Sequence, residues 1–234
     1  MFSVKVDQGA VSSLCWRCRS AQIDTFFCLD CKAIQPFLKE SDYFSCLGFQ
    51  RRLVIDLTRL EEKYHDLSRL FHPDFYQRES PEEREISLES SAFLNKAYRV
   101  LKDPIRRIEY LLVLLGEAIE TTPPADLFDE ILTLQEAIAT LKKLDPADVT
   151  EMASLHHALK QSEQIFKRYR DQAGQRLFEL RGEWDAAIDD KSSTGDNMAL
   201  SKAQRVLLQE MKQILSHRAY FSRVLDNVAT ALKG

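Results

Sequence analysis

The sequence predicts a mainly α protein in three parts. These are a small β-hairpin-like cysteine module at residues 1–40, a four-helix domain at 41–118 and an antiparallel three-helix bundle at 119–234. Three observations predict this. Four of the five cysteines fall in the first 40 residues, where helical periodicity is almost absent and where the strand signals are confined. From residue 41 apolar side chains recur at helical spacing between prolines at 73, 81 and 104. After "TTPPAD" (121–126), a Pro-Pro pair flanked by Thr and Asp that reads as a linker, the chain continues as long helices to its end.

In the middle domain, a short helical turn around Tyr43–Leu47 precedes a longer helix. Leu57, Leu60, Tyr64, Leu67 and Phe71 recur at spacings of 3, 4, 3 and 4, one face of a helix, with Thr58 as the expected N-cap and Glu61 completing a capping box. Pro73 disfavours the α conformation at His72, so this helix must stop near Leu70 or Phe71. The next starts at Pro81 with Ser80 as cap and Glu82 and Glu83 complementing the dipole. Ile86, Phe93, Ala97, Tyr98 and Leu101 form its expected apolar face, and Asp103-Pro104 ends it. A fourth helix, Ile105 to Leu115, closes at Gly116. Beyond the linker, helices are expected over 125–143, 147–189 and 200–232, with "DDKSSTGDN" as the last connection. These long helices leave room for a homo-oligomer, although no sustained heptad pattern runs along them.

Composition excludes several function classes. The net charge of −4 supplies no bulk attraction to nucleic acid. Only seven glycines occur, none in a GxGxxG or GxxxxGK loop, and neither GxSxG nor HExxH is found. The pairs His156-His157 and Asp189-Asp190 point to different helix faces and make no catalytic set, so the chain is not expected to be an enzyme. No apolar run approaches the ~18 residues of a membrane span. The N-terminus lacks the marks of a signal or transit peptide, so the expected location is cytoplasmic; a mitochondrial matrix protein trimmed of its presequence would read the same way.

"CWRC" and "CLDC" place Cys15, Cys18, Cys28 and Cys31 as C-x2-C-x9-C-x2-C. Two such turns facing each other make a tetrahedral four-sulfur cage suited to one structural Zn²⁺, and metal binding would supply folding free energy that about 40 residues with few large apolar side chains cannot. Arg17, Arg19 and Lys32 would offset the charge of a tetrathiolate site. The alternatives are a redox dithiol, two disulfides or an iron–sulfur cluster. Cys46, among Phe44, Leu47 and Phe49, reads as a small buried hydrophobe.

"LSRLFHPDFYQ" raises a different question, because the helix stops on an imidazole and a carboxylate flanking a rigid ring. An amphipathic helix, His72-Pro73-Asp74, and then "FLNKAYRVLKDPIRRIEYLL" together resemble the J-domain of DnaJ-type co-chaperones. The resemblance implies that His72, Pro73 and Asp74 contact a DnaK/HscA-type chaperone ATPase, helped by Lys63, Arg69 and Arg78. Pro73 stiffens the loop, Asp74 accepts charge-assisted hydrogen bonds from the partner, and His72 is expected to brace the loop against the neighbouring helix. The plainer reading, a helix stop, needs only the proline. Glu61, Glu62 and Asp66 interrupt the basic face usual in that family, so steering should be modest and salt-sensitive.

"DYFSCLGF", "HPDFY" and a bundle opening on "LFDEILTLQEAI" further resemble the HscB-type J-proteins of iron–sulfur cluster assembly, over nearly all of residues 15–234 and most closely over 43–115. The resemblance implies that the bundle binds an IscU-type iron–sulfur scaffold protein through Phe128, Asp129, Leu132, Thr133 and Glu136, joined by Tyr220 or Phe221. Spacings of 1, 3, 1 and 3 put the first five on one helical face, a period that a bundle core would also give. Thr133 and Asp129 depart from the family's pattern, which has a Glu and a large apolar residue, respectively, at those places. The expected function is therefore a co-chaperone that delivers the scaffold to the ATPase for cluster transfer. The rival readings are a J-protein for general client folding and a zinc-dependent nucleic-acid adaptor.

Overall fold

The structure, a computed structural model, describes residues 12–23, 26–37, 41–145, 147–192 and 200–233. The chain is mainly helical and divides into two compact units, Met1–Arg107 and Ile108–Gly234. No helix of the described residues is long and apolar enough to cross a membrane.

In the first unit, β1 (Ser12–Leu14) and β2 (Ala21–Ile23) form an antiparallel hairpin in which Leu14 faces Ala21, so Cys15 to Ser20 make the connection. A second bridge, Phe27 to Ile34, brackets Cys28 and Cys31 in the same manner. Three helices follow: α1 (Tyr43–Cys46), α2 (Leu57–Leu70) and α3 (Pro81–Lys102). The helix preceding the proline turn begins on Asp56 rather than Thr58. The Asp56 carboxylate accepts from Thr58 N at 2.9 Å and Arg59 N at 3.2 Å, capping two amide groups left orphaned at the helix start. Ser80 caps α3 as expected, with Glu83 returning to the Ser80 backbone N–H.

α2 and α3 run antiparallel: Tyr64 stacks on Tyr98 at 4.2 Å and donates to Asn95 Oδ1, while the opposite end closes on Phe71. The buried stripe of α3 is Ser87, Ser90, Leu94, Ala97 and Leu101; Ile86, Phe93 and Tyr98, expected to be central, flank it and stay partly exposed. Serines were invisible to an apolar period. Ser87 can be buried because its hydroxyl donates to the Phe71 carbonyl at 2.8 Å.

The division between the units falls within α4 (Pro104–Leu114), which ends as expected near Gly116, at φ 76°. In its first turn Arg107 is buried: Nη1 donates to Leu53 O at 2.6 Å, and Nε (2.7 Å) and Nη2 both donate to Leu101 O. One guanidinium thus satisfies carbonyls from two segments. Arg107→Met keeps the bulk but removes the hydrogen bonds to Leu53 O and Leu101 O, and should destabilise this unit by about 3 kcal/mol, read as a lowered urea midpoint with unchanged slope.

In the second unit, α5 (Phe128–Leu141), α6 (Val149–Ser192) and α7 (Lys202–Ala231) form the expected bundle, antiparallel as the Phe166–Phe221 and Arg176–Glu210 pairs require. The α6 helix runs through Asp189 and Asp190 to Ser192, where a loop was expected; residues 193–199 of that connection lie outside the described residues. The core at the α5 end joins Leu127, Ile131 and Leu134 to Leu159, Phe166, Phe221, Val224 and Val228. Further along, Arg176 binds Glu183 and Glu210, each at 2.7 Å, tying α6 to α7.

Candidate functional site

The four cysteines of the two CxxC turns converge. Their sulfurs all lie within 4.8 Å of one another, with Cys15–Cys31 at 3.7 Å and Cys18–Cys28 at 3.5 Å. Four thiolates ~2.3 Å from a tetrahedral zinc stand ~3.8 Å apart, so the cage is of the right size for such an ion. The local backbone builds it. Each turn returns through a residue of positive φ directly after its second cysteine, Arg19 at 65° and Lys32 at 61°, whose N–H donates to the carbonyl of the first cysteine. Backbone N–H groups of Arg17 and Cys18 point at Cys15 Sγ, that of Cys31 points at Cys28 Sγ, and buried Gln35 adds its Nε2 to Cys15 Sγ.

These donors favour thiolates, and the four sulfurs do not respond alike. Burial opposes ionisation of Cys28, yet the Ser20 hydroxyl and the N–H groups of Cys31 and Asp30 bring it down to about 6. The Ala33 N–H favours ionisation of Cys31, but burial and the three neighbouring sulfurs push it up to about 12. Of the basic residues expected to offset the charge of a tetrathiolate, Arg17 pairs with Glu83 at 3.7 Å and Lys32 Nζ donates to Leu29 O at 2.7 Å. Cys46 is buried, and burial, then Asp42, pushes its thiol up to about 12, as suits an inert core residue.

At the end of α2, His72 is extended (φ −65°, ψ 126°) and Pro73–Tyr76 form a single 3₁₀ turn. The hydrogen bond and the ring contact of His72 lie within the turn. His72 Nδ1 accepts the Asp74 N–H at 3.3 Å, capping the turn, and its ring meets Phe75 edge-on at 6.0 Å. Asp74 is 72% exposed in its side chain and Phe75 69% exposed overall. His65, Ser68, Arg69, His72, Asp74 and Phe75 line an open cleft of about 360 Å³. Arg69 thus joins the turn. Lys63, six positions earlier, lies about 120° round the helix from Arg69, and exposed Arg78 follows the turn. His65, Ser68 and Phe75 were missed; the 4 and 3 spacing of His65, Arg69 and His72 was the available signal.

On α5, Phe128 (61% exposed) and Leu132 (45%) face outward with Asp129, Thr133 and Glu136, while the core uses Leu127, Ile131 and Leu134. The Thr133 hydroxyl donates to the Asp129 carbonyl at 2.9 Å. Tyr220 is partly exposed against the core, whereas Phe221, 4% exposed, sits inside it between Phe166 and Tyr169. Phe221 therefore offers no surface to a partner. The one-residue difference turns the side chain by about 100°, which separates rim from core.

No family sequence model matches the chain. The human protein named iron-sulfur cluster co-chaperone protein HscB is 30% identical over 218 residues, covering 92% of this chain and 80% of its own length. The chain belongs to the HscB family. The mouse protein of the same name is 35% identical over 138 residues, 56% of this HscB-family chain and 59% of its own length. The crystal structure of human co-chaperone protein HscB superposes with a TM-score of 0.60 at 27% identity, over 93% of this chain and 98% of that one. Within this HscB-family fold, the candidate sites are the sulfur cage, the exposed His72-Pro73-Asp74 turn and the outward face of α5.

Proposed function

We propose that this chain is a non-enzymatic co-chaperone of iron–sulfur cluster assembly, built from a zinc module (1–40), a J-domain (41–118) and a scaffold-binding bundle (119–234). Its His72-Pro73-Asp74 turn docks on a DnaK/HscA-type chaperone and stimulates ATP hydrolysis there. Its α5 face delivers an IscU-type scaffold protein for cluster transfer. The observation that carries this reading is the exposed, capped turn at the end of the α2–α3 hairpin in a chain of the HscB family.

The chemistry follows from the parts. Pro73 fixes φ and the His72 cap holds the Asp74 N–H, so the turn loses little conformational entropy on docking. Asp74 then presents a carboxylate to a partner Arg or Lys, and Arg69 in the same cleft meets acidic groups. Neither side chain transfers a proton; both act on another protein's active site. Cys15, Cys18, Cys28 and Cys31 would hold one Zn²⁺, which supplies folding free energy and no catalysis.

The exposed Phe128 and Leu132, one turn apart with Asp129, Thr133 and Glu136 alongside, form an apolar and acidic patch suited to a partner protein, with Tyr220 as the aromatic from α7. The test is titration of the scaffold into the full chain. Phe128→Ser with Leu132→Ser should weaken binding at least about tenfold without lowering the melting temperature, since both leave the core intact. Unchanged affinity would exclude this face as the scaffold site.

A further inference from the structure

We propose that Phe26 and Phe37 of the cysteine module are positioning residues for the chaperone-contact turn, acting through Phe71. The proposal rests on the function assigned above to that turn and concerns how it is held.

Phe71 directly precedes His72 and is fully buried. Its backbone is fixed on both sides: its N–H donates to Leu67 O at 3.0 Å, and its carbonyl accepts hydroxyls from Ser87 at 2.8 Å and Ser91 at 2.6 Å. Its ring is gripped by the module, with Phe26 edge-on at 5.5 Å and Phe37 at 5.0 Å. Phe37 also meets Phe93 of α3 at 5.5 Å, and Phe93 meets Tyr43 of α1 at 5.3 Å. The turn beyond Phe71 is stiffened by Pro73 and the His72 cap and packs beside α3, but it has no buried side chain to anchor it. It is four residues long, none of them buried, and its tie back to α2 is the Tyr76 hydroxyl on Leu70 O at 2.8 Å. Its entry from α2 is set at Phe71, where α2 ends.

Phe26 and Phe37 sit at the two ends of the loop that carries Cys28 and Cys31. The Gln35 N–H donates to Phe26 O at 2.9 Å and the Cys28 N–H to Ala33 O at 2.9 Å, so closing the sulfur cage closes the loop and sets both rings. The module touches the far side of the turn too. Arg17, Cys31, Lys32, Phe75, Tyr76 and Glu83 are among the residues lining a groove of about 370 Å³, and Arg17 reaches Glu83, which also caps α3. A module of this size cannot hold two aromatic rings in register without its staple. Metal occupancy is thereby read out at the chaperone contact.

The experiment compares full-length wild type, Phe26→Ala/Phe37→Ala and Phe37→Leu by amide hydrogen exchange and by stimulation of the DnaK-type ATPase. The expected result is exchange about tenfold faster at the Phe71, Asp74 and Phe75 amides of the double variant, with Leu94, Ala97 and Leu101 unchanged. The half-saturating concentration for ATPase stimulation should rise about tenfold, since only the competent fraction of the turn binds. Phe37→Leu, which keeps most of the volume, should recover most of both effects, and chelation of wild type should reproduce the local exchange pattern. Unchanged exchange at Asp74 and Phe75 in the double variant would overturn the proposal. So would exchange rising equally through α3, which would make the rings ordinary core. Wild type that fails to stimulate would instead overturn the function assigned to the turn, leaving the exchange result to decide the positioning role.

Discussion

Asp74→Asn should remove stimulation of the DnaK-type ATPase while leaving the fold and scaffold binding as they are. The side chain is largely exposed; the hydrogen bond that Gln77 Nε2 donates to Oδ1 at 3.2 Å can be kept by an amide oxygen, and Oδ2 stands 3.6 Å from His72 Nδ1. The substitution therefore subtracts one negative charge and little else. A carboxylate docked on a partner cation in a desolvated contact is worth about 2–5 kcal/mol, so stimulation should fall at least about 30-fold. Single-turnover hydrolysis reads the loss, and thermal melting should show no matching shift. Retention of half the wild-type stimulation would remove Asp74 from the contact.

Cys28→Ser is expected to have the second large effect. The cage loses one of its four ligands, the one that ionises most readily, and bound zinc should fall from one ion per chain to nearly none. Structural zinc supplies about 10 kcal/mol or more to modules of this kind, so the Phe26–Phe37 segment should become open to proteolysis while α2 and α3 persist. The pH dependence has a definite sign. Metal competes with protons for the sulfurs, so affinity falls as pH falls. Cys31, which burial and the neighbouring sulfurs push up to about 12, must give up its proton on binding even at neutral pH, and below about 6 Cys28 is protonated as well. The loss of affinity should steepen there. Zinc content by atomic emission across a pH series measures it; a flat profile from pH 8 to 5 would contradict a thiolate cage.

Much of this was legible in the sequence because it depends on local rules. Pro73 stops α2, Ser80-Pro81 opens α3, Gly116 closes α4, and the CxxC spacings bring four sulfurs together; each needs only its neighbours. Legibility ended where a longer contact chose between equivalent local options. Asp56 and Thr58 can both cap a helix, and it is the Asp56 carboxylate that accepts the Thr58 and Arg59 N–H groups. Phe93 and Tyr98 outrank Ser87 on any hydrophobic scale, but the Phe71 carbonyl draws Ser87 inward. Phe128 and Leu132 share their period with a core helix, and Tyr220 and Phe221 differ by one step, so only the packing against Phe166 and Tyr169 assigns them. The grip of Phe26 and Phe37 on Phe71 leaves no periodic trace, because it joins a metal-held loop to a helix end across many intervening residues.

The most direct test of the central claim is single-turnover ATP hydrolysis by a DnaK-type chaperone with this chain added, with and without the cluster scaffold. Stimulation by the chain alone is expected, with a further rise when scaffold is present and loss of that rise with Phe128→Ser/Leu132→Ser. Stimulation indifferent to scaffold would contradict the delivery role, and no stimulation at all would contradict the reading of His72-Pro73-Asp74 itself.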